Sequence, residues 1–230
     1  MAAFALRLVE DRLAPGAAMS LAARPRVLYV RAGLLDVGDT AIGADTVWHG
    51  AGACRLTTGG DGATVLRYEL AGGRFGAAPA TAAAHVTSRL VLEHALALDP
   101  AAPYLMRCDR VDFAPGGEAL PHGHRGGGIR YLIAGTLEVR VGNGAVFRGG
   151  IGGAAPLMSR VMRPGDAWFE SGAEPVHAIA DKKDATAFIR VAILPRELRG
   201  KTSIVYADPA HAAIKPRKYT VFVDEPIEIA

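Results

Sequence analysis

Short runs of apolar and β-branched residues, separated by glycine and proline, occupy most of this chain. Such runs between turn residues predict an all-β protein of the sandwich or barrel type. One segment differs: residues 87–98 are rich in Ala and Leu and are followed by Asp99 and Pro100, which predicts a helix. The predicted strands cover residues 26–31, 34–37, 64–70, 104–113, 129–133, 136–141, 167–170, 187–194 and 219–223.

The pattern of these runs repeats within the chain. Residues 29–37 (YVRAGLLDV) align with residues 131–139 (YLIAGTLEV), and further on residues 65–68 (VLRY) align with residues 188–191 (FIRV). Two matches in the same order indicate that one unit of structure occurs twice. A chain of 230 residues is long enough for two small β domains. We therefore predict two barrels, one over residues 1–85 and one over residues 86–230.

Composition and charge exclude several classes of protein. The net charge is only +3, and the basic cluster at residues 215–218 (KPRK) is interpreted as a solvated loop, so no nucleic-acid partner is expected. No apolar run is long enough to span a bilayer, and the N-terminus does not resemble a secretion signal. Cys54 and Cys108 lack metal or redox spacing and are predicted to be buried free thiols in a cytoplasmic protein, with a single disulfide between them as the alternative.

The candidate chemistry lies in a histidine pair. His122 and His124 are two residues apart on a predicted extended segment, so their side chains point to the same face. Two imidazoles that converge on one point can bind a transition metal. A turn is predicted at Ala134 and Gly135, between the two strands that follow.

This segment resembles the first motif of the cupin superfamily, G-x5-H-x-H-x3-4-E-x6-G. Gly116, His122, His124 and Gly135 stand at the spacing of that motif, whereas Gly128 stands where the family has a metal-binding Glu. The resemblance implies two cupin (jelly-roll) barrels in one chain, a bicupin. It also implies Fe, Mn, Ni or Zn as the metal of the second barrel. The first barrel has no His-x-His pair and is expected to be degenerate and free of metal.

The second cupin motif, G-x5-P-x-G-x2-H-x3-N, is matched only in part. Gly165 fits its opening turn, but Ser171 replaces the proline, and Val176 stands where the family has its third His. His177 comes one residue late and would reach the same face only if a β-bulge intervened.

Two interpretations of the histidines stay open. In one, His177 completes a metal site with His122 and His124, and Glu118 or Glu170 are substitutes with oxygen donors. In the other, His122 and His124 line a pocket without metal and hydrogen-bond to a ligand or water.

Arg130 is the candidate for binding an anion. It lies two residues beyond Gly128, on the same face, and an inward guanidinium needs a negative partner. That partner is either Glu170 or the carboxylate of a substrate, and Arg190 raises the same question. Trp168 and Phe169 alternate in direction, so one belongs to the core and the other walls the pocket. Arg130, Trp168 and Glu170 are therefore the predicted substrate-binding residues.

Two functions agree with these features. The first is a metal-dependent enzyme of the cupin type, a dioxygenase, isomerase or decarboxylase, that acts on a small anionic molecule. The second is a binding or sensing protein that uses the same pocket without metal and without catalysis. A homodimer is possible in either case. The sequence does not choose between them, because a fold does not determine a reaction.

Overall fold

The computed structural model of the chain describes residues 4–72, 83–142, 158–214 and 217–229. Within these ranges the chain forms seventeen β-strands and two short 3₁₀ helices. It divides into two compact units, Met1–Tyr104 with Pro226–Ala230, and Leu105–Glu225. The prediction of an all-β chain with two barrels is confirmed.

The first unit is built on one sheet with the strand order β4-β3-β6-β1-β7, on which β2 pairs with β6 and β5 pairs with β3. Its core consists of apolar side chains such as Leu28, Leu35 and Val65, each without solvent exposure. The strands are β1 Phe4–Leu13, β2 Ala18–Leu21, β3 Arg26–Val37, β4 Thr40–Gly43, β5 Val47–Gly50, β6 Cys54–Gly72 and β7 Val86–Leu96.

The second unit consists of two five-stranded sheets, with orders β13-β10-β15-β8-β17 and β12-β11-β14-β9-β16. One hydrophobic core joins side chains from both sheets, including Phe113 and Trp168 from the first and Leu137 and Val176 from the second. The strands are β8 Tyr104–Phe113, β9 Glu118–His124, β10 Gly128–Ala134, β11 Leu137–Val141, β12 Met158–Met162, β13 Ala167–Glu170, β14 Val176–Ala180, β15 Thr186–Pro195, β16 Ile204–Tyr206 and β17 Arg217–Ile227. The 3₁₀ helices are Arg196–Leu198 and Pro209–Ala213.

The predicted helix at residues 87–98 is wrong. That segment forms β7, which pairs with β1 from Leu13↔Val86 to Phe4↔Leu96. Helix propensity is a weak preference, and pairing along the full length of β1 outweighs it. The same pairing places residues 86–104 in the first unit, so the division falls at residue 104 instead of residue 85.

The two units repeat the same strand pairing. In the first unit Tyr29 of β3 faces Leu66 of β6, and in the second Tyr131 of β10 faces Ile189 of β15. These are the residues that the sequence repeat aligns with each other. The aligned glycines also match, since Gly33 and Gly135 both have positive φ, +82° and +71°, a conformation that favours glycine.

Each unit also holds a buried arginine–aspartate pair at the equivalent place. Arg67 binds Asp11 through two nitrogens, at 2.6 and 3.1 Å, and Arg190 binds Asp109 through Nε and Nη2. Arg67 and Arg190 are aligned by the repeat. Because the first unit has the pair without any histidine motif, the Arg190–Asp109 pair is part of the fold.

The cysteines and the absence of a long apolar helix among the described residues complete the description of the fold. Cys54 and Cys108 are both free, as predicted, and complete burial raises the pKa of the Cys108 thiol well above its ordinary value. Within the described ranges, none of the helices has the length and apolar character required to cross a membrane.

Candidate functional site

A β-bulge on β9 directs the histidine pair into the second unit. His122 faces Val176 and Ala119 faces Ala178, so two residues of β9 stand opposite the single residue His177 of β14. Ala119 and His122 therefore both point inward although they are three residues apart. His124, two residues further on, points the same way.

The histidines line a nearly filled cavity between the two sheets. Its volume is about 20 Å³, which is room for about one water molecule. The polar lining consists of His122, His124, Arg130, Trp168, Glu170, Arg190, Arg217 and Tyr219. The structure thus brings together His122, His124, Arg130, Trp168 and Glu170 from the sequence-predicted set.

Glu170 is the centre of the hydrogen-bond network in this cavity. It faces Gly128 across the β10–β13 pair. Its carboxylate accepts hydrogen bonds from Arg130 Nη2 at 2.6 Å, Trp168 Nε1 at 2.8 Å and His124 Nε2 at 3.2 Å. A carboxylate from β13 therefore enters the side of the barrel where Gly128 leaves no side chain.

Glu170 and Arg130 form a buried ion pair. Burial opposes the charge on Glu170, but Arg130, followed by His124 and Trp168, lowers the pKa of the carboxyl well below its ordinary value. Burial also lowers the pKa of Arg130, to about 10, against the attraction of Glu170. Both groups are charged at neutral pH, so the salt bridge, one of the two alternatives for Arg130, is what the structure contains.

The hydrogen bonds of the two histidines assign their tautomers. His122 Nδ1 lies 2.6 Å from the carbonyl oxygen of Leu120 and must donate to it, which leaves Nε2 as an acceptor. His124 donates from Nε2 to Glu170, and its Nδ1 accepts from Arg190 Nη1 at 3.5 Å. Both nitrogens of His124 are therefore engaged.

Both imidazoles are neutral at pH 7. Burial lowers the pKa of His122 to about 4, and Arg217 adds to the effect. Burial also lowers the pKa of His124 to about 3, despite the hydrogen bond to Glu170. The His124–Glu170 contact is consequently a hydrogen bond from a neutral ring and contributes no ion pair.

His177 does not reach the cavity, which corrects its prediction as a third metal ligand. Val176 and Ala178 line the cavity, and His177, between them on β14, points to the opposite face of the strand. There its Nε2 contacts a carboxylate oxygen of Glu118. The bulge lies on β9, opposite His177, and so does not turn this side chain inward.

The residues at this place do not fit a divalent metal. No group of three metal-binding side chains occurs among the residues that the structure describes. A Cβ added at Gly128 would lie 2.6 Å from the carbonyl oxygen of Val191 and 2.8 Å from Ala192 Cβ, so the backbone closes the space that a Glu would need. His124 has no free nitrogen, and Glu170 is held by Arg130. His122 Nε2 alone remains as an available nitrogen.

Sequence reasoning missed Arg217. Its segment was interpreted as a solvated loop, but the side chain lines the cavity. Its Nε donates to Tyr219 Oη at 2.5 Å and its Nη2 to Tyr206 Oη at 3.4 Å. Its Nη1 is buried and has no hydrogen-bond partner among the described residues. The sequence does contain one signal for this strand. Apolar residues recur at every second position at Tyr219, Val221 and Val223, and Arg217 lies two residues before the first of them.

A larger cavity shares one wall with the histidine cavity. It has a volume of about 370 Å³ and is lined by residues that include Arg190 and Tyr219, which also line the smaller cavity. Its buried arginine side chains are paired, Arg107 with Asp224 and Arg190 with Asp109. This volume lies within the range of small-molecule sites.

The fold resembles solved structures of low sequence identity. An oxalate decarboxylase from Lactobacillus farciminis, solved as a formate complex, is 13% identical with a TM-score of 0.62, over 91% of this chain and 82% of that one. An oxalate decarboxylase from Bacillus subtilis at pH 4.6 is 12% identical with a TM-score of 0.59, over 91% of this chain and 74% of that one. An 11S globulin from Wrightia tinctoria is 9% identical with a TM-score of 0.58, over 83% of this chain and 76% of that one.

No protein-family model and no curated protein matches the sequence. The structural likeness shows the fold, and the cupin fold expected from the first motif is confirmed.

Proposed function

We propose that the second unit of this cupin-fold protein binds a small anionic molecule without a metal, and that the protein is a binding or sensing protein. The observation that carries this proposal is Arg217. Its guanidinium lines the histidine cavity, and its buried Nη1 has no partner among the described residues. A buried donor on a cation is costly unless an acceptor meets it.

The charges around the cavity support an anionic ligand. Three guanidinium groups, of Arg130, Arg190 and Arg217, face the two carboxylates of Glu170 and Asp109. Each carboxylate forms an ion pair with one arginine, Glu170 with Arg130 and Asp109 with Arg190. Both imidazoles are neutral. Among these three arginines, Arg217 is therefore the one without a carboxylate partner. The anionic group of a ligand would provide that partner.

The alternative is a metal-dependent cupin enzyme, a dioxygenase, isomerase or decarboxylase. It draws support from the oxalate decarboxylases among the structural neighbours. It would require Glu170 to leave Arg130 and His124 to release both of its hydrogen bonds. For this reason we favour the metal-independent proposal, and we take from the formate complex of one neighbour only a small carboxylate as the ligand class.

We propose a structural role for the first unit. The position equivalent to Arg130 in the repeat is Leu28, which lies in its apolar core. Its buried charges pair with each other, as in Arg67 with Asp11 and Arg26 with Glu69. The homodimer suggested by the sequence stays a prediction.

Calorimetric titration with formate and acetate tests the proposed function. In buffer that contains EDTA we expect both anions to bind, and we expect Arg217→Met to weaken their binding at least tenfold, because a hydrogen bond to a charged group contributes about 1.5–3 kcal/mol. Lys218→Met is the matched control, since Lys218 is the next residue on β17 and is exposed. Binding that appears only after metal is added, or equal affinity for the Arg217 variant, would refute the proposal.

A further inference from the structure

A second unpaired group accompanies Arg217 in the same cavity. His122 donates from Nδ1 to Leu120, so its Nε2 carries a lone pair and no proton. No described residue donates a hydrogen bond to that nitrogen. The cavity therefore offers a ligand one cationic donor, Arg217 Nη1, and one neutral acceptor, His122 Nε2.

This pair of groups is complementary to a carboxylate that carries a hydroxyl group. We propose that the ligand is a small α-hydroxycarboxylate, whose carboxylate binds Arg217 and whose hydroxyl donates to His122 Nε2. The inference rests on the proposed function and names the ligand class of the same site. His122 is then the residue that determines specificity.

The cavity has room for only the hydroxyl end of such a ligand. A volume of about 20 Å³ holds one water molecule, and a hydroxyl group occupies a similar volume. The hydroxyl end of the ligand enters the cavity, and its carboxylate stays beside Arg217, which is half-buried at the beginning of β17. Tyr206 and Tyr219, which accept hydrogen bonds from Arg217, hold the guanidinium in this position.

The same groups disfavour a dicarboxylate such as oxalate. Its second carboxylate has no proton to donate, so it would meet the lone pair of His122 and the negative charge of Glu170. Protonation of His122 would relieve the first of these contacts, but burial lowers the pKa of this imidazole to about 4. At neutral pH the site therefore selects a hydroxyl donor at this position.

Titration with glycolate, acetate and oxalate tests the inference. Acetate carries the carboxylate of glycolate but has a methyl group where glycolate has its hydroxymethyl group. We expect the wild-type protein to bind glycolate about tenfold more tightly than acetate, the upper range for one neutral hydrogen bond. His122→Phe should bind both equally, and the exposed His94→Phe should keep the preference. Should the Phe variant not fold, His122→Gln keeps a polar acceptor and should retain part of the preference.

The outcomes separate this inference from the proposed function. If acetate and glycolate bind equally to the wild-type protein, or if oxalate binds more tightly than glycolate, the hydroxycarboxylate assignment is wrong while anion binding stands. If none of the three binds, the proposed function itself is wrong. If folded His122→Phe protein keeps the preference for glycolate over acetate, the hydroxyl binds another acceptor and the role assigned to His122 is wrong.

Discussion

Replacing Arg130 with Met is expected to lower the free energy of unfolding by about 3–5 kcal/mol, the usual cost of removing one partner from a buried ion pair. Glu170 would keep hydrogen bonds from Trp168 and His124 but would lose its positive partner 2.6 Å away. Both side chains are almost fully buried, so water cannot replace the guanidinium. Urea denaturation of the variant and the wild type at pH 7 measures the difference.

The double variant Arg130→Met, Glu170→Gln is the control for this prediction. It removes both charges, leaves no unpaired carboxylate and should recover much of the lost stability. An Arg130→Met protein as stable as the wild type would contradict the ion pair. Such a result would return Arg130 to the ligand-binding role that the sequence first suggested.

The free energy of unfolding is expected to fall as the pH is lowered from about 6.5. The pKa of His122 is lowered to about 4 and that of His124 to about 3, from the ordinary value of 6.5. Below pH 6.5 the unfolded chain therefore binds protons that the folded chain excludes, and folding becomes less favourable. The two imidazoles together should remove about 3 kcal/mol between pH 6.5 and pH 5. Glu170, whose pKa is lowered from 4.5, adds a further loss as the pH falls through and below that value.

Denaturation with urea at a series of pH values checks this slope. Changing His122 and His124 together to Gln should flatten the dependence between pH 6.5 and pH 5. His94→Gln, at an exposed position, is the matched control and should leave the slope unchanged. A wild-type protein with constant stability over this range would show that the two imidazoles are not buried and neutral.

Much of the fold could be predicted because the repeat aligns residues that occupy equivalent pairs. The alignment of Tyr29 with Tyr131 is matched in the structure by their partners Leu66 and Ile189. The prediction of a helix at residues 87–98 was wrong because the Ala and Leu content of this segment favours a helix locally. Its strand structure depends on pairing with β1, whose residues lie about 80 positions away in the sequence.

The candidate site was predictable where strand alternation determines direction. His122, His124 and Arg130 could be assigned to one face from their spacing, and all three line the cavity. His177 could not be assigned, because the sequence does not show that the bulge lies on β9 and leaves the alternation of β14 unchanged. Arg217 lies near the end of the second unit in the sequence. No local pattern indicates that its side chain will contact the cavity lined by His122 and His124.

The metal content of the protein is the most direct test of the central proposal, that the second unit binds its ligand without a metal. The protein should be purified without chelator or affinity metal, incubated with Mn(II), Fe(II), Ni(II) and Zn(II) in turn, dialysed, and analysed for each element. We predict far less than one metal ion per chain in every case, and the same value for the variant in which His122 and His124 are both Ala. One equivalent of metal in the wild-type protein that disappears in this double variant would contradict the account.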